Sequence, residues 1–207
     1  MEADELRDLE LERLETGFVL LDVSIASAHI EPADAGSGSI KAAHLIDVEL
    51  GASKLRGLRL LDVLGERIDA ANGDWGGGEM RRVRLTGCRL TGLNLAESKI
   101  EEVLFRSCKL DYANFRHGKL ARVSFEDCEM TGADFQGAAI TASRFSGCRL
   151  VESDFSRSEL SDVDLRGCEL APAGSVLGLA GATIDELQLM ELARPLAREC
   201  GMTVEER

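Results

Sequence analysis

The chain has 207 residues, of which 44% are hydrophobic but only 4% aromatic, with 21 Gly against 3 Pro. That is enough apolar material for a sizeable core, built from small stacked units rather than clustered rings. A net charge of −13 argues against direct nucleic-acid binding, because a phosphate backbone is held mainly by Lys and Arg.

The chain opens MEADELRDLELERLE, with no basic start leading into an apolar run, and nowhere do eighteen apolar residues follow one another. The expectation is a cytoplasmic protein with no membrane segment and with its six Cys reduced. Residues 1–17 form an acidic N-terminal segment in which Leu6, Leu9, Leu11 and Leu14 stand among carboxylates. This pattern fits either a short amphipathic helix or a frayed first coil.

From residue 18 to 184 the chain keeps a five-residue period. Its phase runs, less cleanly, through Leu20, Ile25 and Ile30 and then through Ile40, Leu45, Leu50, Leu55 and Leu60. Glu31–Ser39 reads as an irregular side or short loop. Gly65, Ala70, Trp75 and Met80 keep phase but depart in size, and Gly76, Gly77 and Gly78 predict a loosened coil. Those glycines lack the following Lys and Ser or Thr of a phosphate loop, since Glu79 and Met80 come next.

From Leu85 to Leu170 every fifth residue is Leu, Ile, Phe or Met, including Phe105, Phe115, Phe125, Phe135, Phe145 and Phe155. Two positions before each stands a mostly small or branched residue. In an α-helix a step of five rotates a side chain by about 500°, so no stripe would form. A five-residue unit works as one short, strand-like side of a coil, with the large residue and the small one both pointing inward. Cys88, Cys108, Cys128, Cys148 and Cys168 recur at intervals of twenty, which makes four sides per coil and places the cysteines in one inward column. Asp74, Asn94, Asn114, Asp134 and Asp154 share the same period on another side as an outward ladder, expected to be joined through amides. Some seven coils would give a rod of roughly 34 Å.

Residues 185–207 supply a C-terminal helix and tail. Asp185 and Gln188 make a capping box, Pro195 is expected to kink or interrupt the helix, and Gly201 lies near its end. The helix is apolar on more than one face. It either plugs the last coil alone or also joins two protomers through Leu187, Met190, Ala193, Leu196 and Ala197.

The run of fives, the small residue two places earlier and the A(D/N)LXX-like side at Asn94, Asn114 and Asp134 resemble the pentapeptide-repeat family. The resemblance covers roughly residues 18–184 and implies an all-β solenoid, a right-handed quadrilateral β-helix with a short capping helix. A characterised branch of that family comprises quinolone-resistance proteins, dimeric rods that mimic B-form DNA and bind DNA gyrase or topoisomerase IV, so the resemblance offers a type II topoisomerase as a partner.

Chemistry is not legible in the residues. A parallel stack of thiols in a closed column does not converge on a metal, and His29, His44 and His117 have no nucleophile or carboxylate set beside them by motif. No cofactor and no catalytic or metal site is expected. The acidity is also uneven. Residues 1–40 hold 10 acids and 2 bases, residues 81–125 hold 4 and 10, and residues 126–170 hold 10 and 4. A shaft positive in its middle imitates DNA poorly, so the leading expectation is a non-catalytic interaction or scaffold module with an unidentified protein partner, and DNA mimicry stands second.

Overall fold

The computed structural model describes residues 6–205. The chain winds into a parallel β-solenoid of about nine turns closed by one C-terminal helix. The strands are β1 (Arg7–Asp8), β2 (Val19–Ala26), β3 (Ser39–Ile46), β4 (Arg59–Glu66), β5 (Glu79–Thr86), β6 (Lys99–Arg106), β7 (Lys119–Ala121), β8 (Ser124–Glu126), β9 (Ala139–Ser146), β10 (Arg149–Val151), β11 (Glu159–Asp164), β12 (Glu169–Ala171) and β13 (Ala182–Thr183), followed by α1 (Glu186–Glu199). Two sides of each coil form the principal sheet, in the order β1-β2-β3-β4-β5-β6-β7-β9-β11-β13, with β8 completing the β7 rung. The other two sides are joined by single bridges such as Asp69↔Arg89 and Asp74↔Asn94, and near the end by β10 and β12.

Pairing from β2 to β11 is offset by twenty residues, as in Val19↔Ser39, Leu60↔Met80 and Glu159↔Ala139. The offset shortens only at the ends, to Arg7↔Val23 and Val163↔Ala182. Nine rung spacings give a rod of about 43 Å, longer than the seven coils expected, because the N-terminal segment and β13 each add a rung. Leu14 is buried, Leu9 and Leu11 pack on the core, and the Glu31 N–H donates to the Glu12 carbonyl. From Leu6 onward the N-terminal segment is thus a shortened first coil, not a helix, and residues 1–5 of that segment lie outside the described residues.

Each corner needs a sharp turn, and the chain makes it by placing one residue in the left-handed region every five positions. Gly77, Gly87 and Gly92 sit there at φ of +67°, +63° and +67°, but so do Arg82, Glu97, Tyr112 and Arg122 at +51° to +60°. The conformation is costly for residues with a Cβ, by about 1–2 kcal/mol each. It persists because the backbone hydrogen bonds of the rungs on either side fix the turn.

The interior is filled by two stacks of rings. Phe105, Phe125 and Phe145 lie parallel at 5.0 and 4.6 Å, and Phe115, Phe135 and Phe155 at 4.8 Å for both steps. The stacks meet edge to face, with Phe115 and Phe125 at 5.9 Å and 87°, an arrangement favoured by the ring quadrupoles. All six rings are fully buried.

Toward the N-terminus the large residues are Leu, Ile and the single Trp75, and a small apolar cavity of about 30 Å³ remains among them. The coil through Gly76–Gly78 is regular rather than loosened. A Cβ on Gly78 would lie 2.6 Å from the Leu58 carbonyl and 2.9 Å from that of Trp75, and one on Gly65 would lie 2.6 Å from Leu85 Cδ2. These glycines make room for their neighbours. The stretch from Glu31 to Ser39 also keeps the coil: Ala35 is buried, and the N–H groups of Ala35 and Ser37 donate to the Lys54 and Arg56 carbonyls one rung on.

Cys88, Cys108, Cys128, Cys148 and Cys168 are free and buried. Four of the thiols donate to a carbonyl of the coil below, for example Cys108 to Leu85 at 3.4 Å and Cys148 to Phe125 at 3.4 Å. Hydrogen bonds between neighbouring thiols, with burial, push the Cys88, Cys128 and Cys168 groups up, and the same bonds pull Cys108 and Cys148 down. At equivalent positions of other sides the Ser98 hydroxyl likewise donates to the Trp75 carbonyl of the coil below, whereas the Ser53 and Ser153 hydroxyls donate within their own coil to the Leu50 and Leu150 carbonyls.

Cys128→Asp tests this packing. It buries a carboxylate with no cation in reach, which costs several kcal/mol (about 3–5), whereas Cys128→Ala removes only a small filler and costs about 1 kcal/mol. Thermal unfolding is expected to separate the two variants widely. Equal melting temperatures would contradict an inward thiol at this position.

Candidate interaction surfaces

With the lumen filled, the functional potential of the described residues lies on the outside, where every side presents a column of side chains one rung apart. In several of these columns an acid faces a base on the next rung. Arg67 is bidentate to Asp47 at 2.6 and 2.8 Å and Arg82 to Asp62 at 2.6 and 2.9 Å, and Arg89 reaches Asp69, Arg106 reaches Glu126 and Arg149 reaches Glu169 across the same interval of twenty. The Arg67 and Arg82 guanidinium groups hold the Asp47 and Asp62 carboxyls below the usual carboxylate range. These pairs are solvated, so each contributes little stability. Their effect is to cancel charge locally.

The Asn and Asp ladder has a different role from the one its spacing suggests. Its members are half-buried, and each side chain accepts the N–H two residues on: Gly76 to Asp74 at 3.1 Å, Ala96 to Asn94 at 3.1 Å, Arg116 to Asn114 at 3.0 Å, Gln136 to Asp134 at 2.9 Å and Ser156 to Asp154 at 2.8 Å. These are Asx turns that shape the corner. Among the described residues only the step from Asn94 Nδ2 to Asp74 Oδ1, at 2.7 Å, joins the ladder through an amide. Arg56 and Arg116 neutralise Asp74 and Asp134 at 3.2 and 3.4 Å.

His44 lies half-buried 3.2 Å from Glu66, His29 is 2.8 Å from Glu49 on the surface, and His117 is an exposed corner residue at φ +55°. The structure does not bring the three together. Among the described residues no group of three or more His, Cys, Asp or Glu is placed to hold a metal ion, and no helix is long and apolar enough to cross a membrane.

At the C-terminal end α1 docks through Gln188, Leu192 and Leu196, the first two fully buried. Asp185 and Gln188 form the capping box. Gln188 also lies twenty residues after Cys168 and extends the cysteine column, its Nε2 donating to the carbonyls of Leu165 at 2.7 Å and Cys168 at 2.9 Å. The helix is thereby fastened to the open rung. Pro195 lies within α1 and does not interrupt it, and Gly201 at φ +75° ends it in a Schellman motif with Met202 N–H on the Ala197 carbonyl.

A second fastening was not visible in the sequence. The Glu199 carboxylate accepts from the Ser175 hydroxyl and the Val176 N–H, both at 2.6 Å, which hold its pKa below the usual range. Leu196 belongs to the docked face rather than the free one, while Leu187 and Met190 project into solvent at 72% and 73% exposure, with Ala193 exposed and Ala197 half-buried.

Replacing Gln188 with Ala leaves the Cys168 carbonyl without a donor and the Leu165 carbonyl with only the Cys168 N–H, and should destabilise the last coil by about 1–3 kcal/mol. Hydrogen exchange checks it. Amides of α1 and of residues 163–170 are expected to lose protection while those near Phe125 keep theirs, and uniform exchange across the rod would contradict a local cap.

The comparisons with known proteins match this architecture. A model described as a pentapeptide repeat region fits residues 79–135 and 118–175. The chain superposes on a trypsin-treated variant of QnrB1, a plasmid-mediated fluoroquinolone resistance protein, with a TM-score of 0.60 at 18% identity over 96% of this chain and 99% of that one. A second trypsin-treated variant of QnrB1 gives 0.55 at 18% identity over the same shares. HetL, a pentapeptide repeat protein involved in heterocyst differentiation regulation from the cyanobacterium Nostoc, gives 0.49 at 19% identity over 76% of each chain. No curated protein matches the sequence. A four-sided parallel coil and a pairing offset of twenty give this chain the fold of pentapeptide-repeat proteins, and residues 79–175 match the repeat model of that family.

Proposed function

We propose that the protein is a non-catalytic interaction module that binds another protein through the outer faces of its rod. The observation that supports this most directly is the division between inside and outside. The lumen is occupied by stacked Phe, Leu and buried thiols, and the small cavity near Trp75 has only apolar residues on its walls. The outside offers side chains at regular intervals on flat sheet, a geometry suited to recognising an extended surface rather than enclosing a substrate.

Mimicry of DNA toward gyrase or topoisomerase IV is the alternative. Shape supports it, through a rod of QnrB1-like fold. The charge pattern weighs against it, because a basic channel reads continuous negative potential, and here Asp47, Asp62, Asp69, Glu126 and Glu169 each lie against an arginine. In a gyrase supercoiling assay the purified protein is expected to leave activity unchanged at about tens of micromolar. Inhibition below that range would overturn this reading in favour of the mimic.

Self-association through α1 is part of the proposal. Leu187 and Met190 would otherwise stay in water, and a two-fold pairing of the two helices would bury them. Light scattering is expected to give twice the 22.4 kDa chain mass for the wild type and a single chain mass for Leu187→Lys with Met190→Lys. A wild-type monomer would contradict the pairing and leave α1 as a plug only.

A further inference from the structure

One corner of the rod combines uncancelled positive charge with exposed apolar side chains. Between the two sides of the principal sheet, on the rungs of β2 to β5, the outward column reads Leu21, Lys41, Leu61, Arg81, each the Cα partner of the next. Apolar and basic groups therefore alternate along the rod axis. Leu21 is 49% exposed, Lys41 and Arg81 are exposed and Leu61 is half-buried. On the adjoining side Leu64, 37% exposed, lies under Arg84.

Many arginines elsewhere on the rod face a carboxylate one rung away, whereas Lys41, Arg59 and Arg84 form no ion pair among the described residues. Arg81 reaches Glu101 only at 4.0 Å, and Asp62, which feels the charges of Lys41 and Arg81, is hydrogen-bonded to Arg82 instead. A shallow groove of about 290 Å³ runs beside this column, walled by Lys41, Arg59, Leu61 and Arg81, with Leu60 and Glu79 also lining it. Glu79 is the single carboxylate on its rim, against three cations.

We propose that this corner is a docking site for an acidic amphipathic α-helix of another protein, laid along the rod axis. The proposal rests on the interaction-module reading and names its surface and the class of partner. Two geometric facts support a helix. Successive rungs are about 4.8 Å apart and successive turns of an α-helix about 5.4 Å, so a helix lying on the column sets one side chain per rung, and over three steps the mismatch stays near 2 Å. The side chains it must present are apolar opposite Leu21 and Leu61 and acidic opposite Lys41 and Arg81, an order met by residues at i, i+4, i+7 and i+11 of one helical face. The α1 helix of a second copy does not meet it: Leu187 and Glu191 suit two rungs, but Arg194 and Arg198 follow on that face.

The probe is a synthetic four-turn helical peptide with Leu and Glu alternating at those positions, labelled for fluorescence anisotropy and titrated with the full chain. Saturable binding is expected at about tens of micromolar. It should weaken at least about tenfold for Lys41→Glu with Arg81→Glu and for Leu61→Asp, and be unchanged for Lys109→Glu two sides away. Thermal melts of the variants confirm that the surface changes leave the fold intact.

Three results would overturn the proposal: no saturation, equal binding of a scrambled peptide of the same composition, or tighter binding of a duplex DNA that depends on the same cations. Failure of the wider reading is separable by affinity capture from the native cell. Partners retained equally by wild type and by the Lys41→Glu, Arg81→Glu variant would refute this corner and leave the interaction module standing. No specific partner on either bait would count against both.

Discussion

The structure depends on one constraint, the twenty-residue offset at which each backbone rung pairs with the next. Once Val19 pairs with Ser39 and the offset repeats, every inward residue must stack on a residue of the same phase, and every outward one likewise. The phenylalanine stacks, the thiol column and the ion pairs across twenty residues are all images of that pairing. So is the strain at the corners, since a left-handed Arg82 or Tyr112 is held in place only by the coils on either side. The same constraint explains why few aromatic residues suffice: six rings in register fill the coils from Phe105 to Phe155, and Leu and Ile in the same phase fill most of the rest.

The rule has a cost at the two ends, where a rung has no successor. The ends solve it differently. At the N-terminus the offset shortens to sixteen and a partial coil covers β2 from below, with Leu14 inside. At the C-terminus Gln188 takes the next place in the cysteine column, and its amide supplies to Leu165 and Cys168 the donors that another coil would have supplied. The clamp of Glu199 on the turn at Ser175 and Val176 then fixes the far end of α1. Its low carboxyl pKa means that this fastening is present above the ordinary glutamate range and is lost as pH falls through the folded value.

The solenoid and its four sides were legible in the sequence because a period of five in fixed phase reports directly on which way each residue faces. What stayed hidden depends on contacts between distant residues. Gly76, Gly77 and Gly78 look like a break when read locally, and only the positions of Trp75 and the Leu58 carbonyl show that Gly78 is required by packing. The Asn and Asp positions repeat every twenty residues, which suggests a ladder, yet the bond each makes is local, two residues along its own chain. The surfaces were less legible than the core. Net charge by region described the shaft as bipolar, but the offset of twenty sets many arginines against a carboxylate, and the alternation of Leu21, Lys41, Leu61 and Arg81 emerges only once those four residues are placed in one column.

The direction of the backbone hydrogen bonds has a mechanical consequence. They run along the rod, so a force applied between its ends loads the rungs in series and opens the weakest first. Each coil that peels away frees twenty residues, about 65 Å of extended chain, while the rings of the remaining coils stay stacked. The molecule under tension is therefore a stepwise spring whose unit of extension is one turn, and the cap formed by Gln188 and Glu199 is the latch that must release before unwinding can begin at that end.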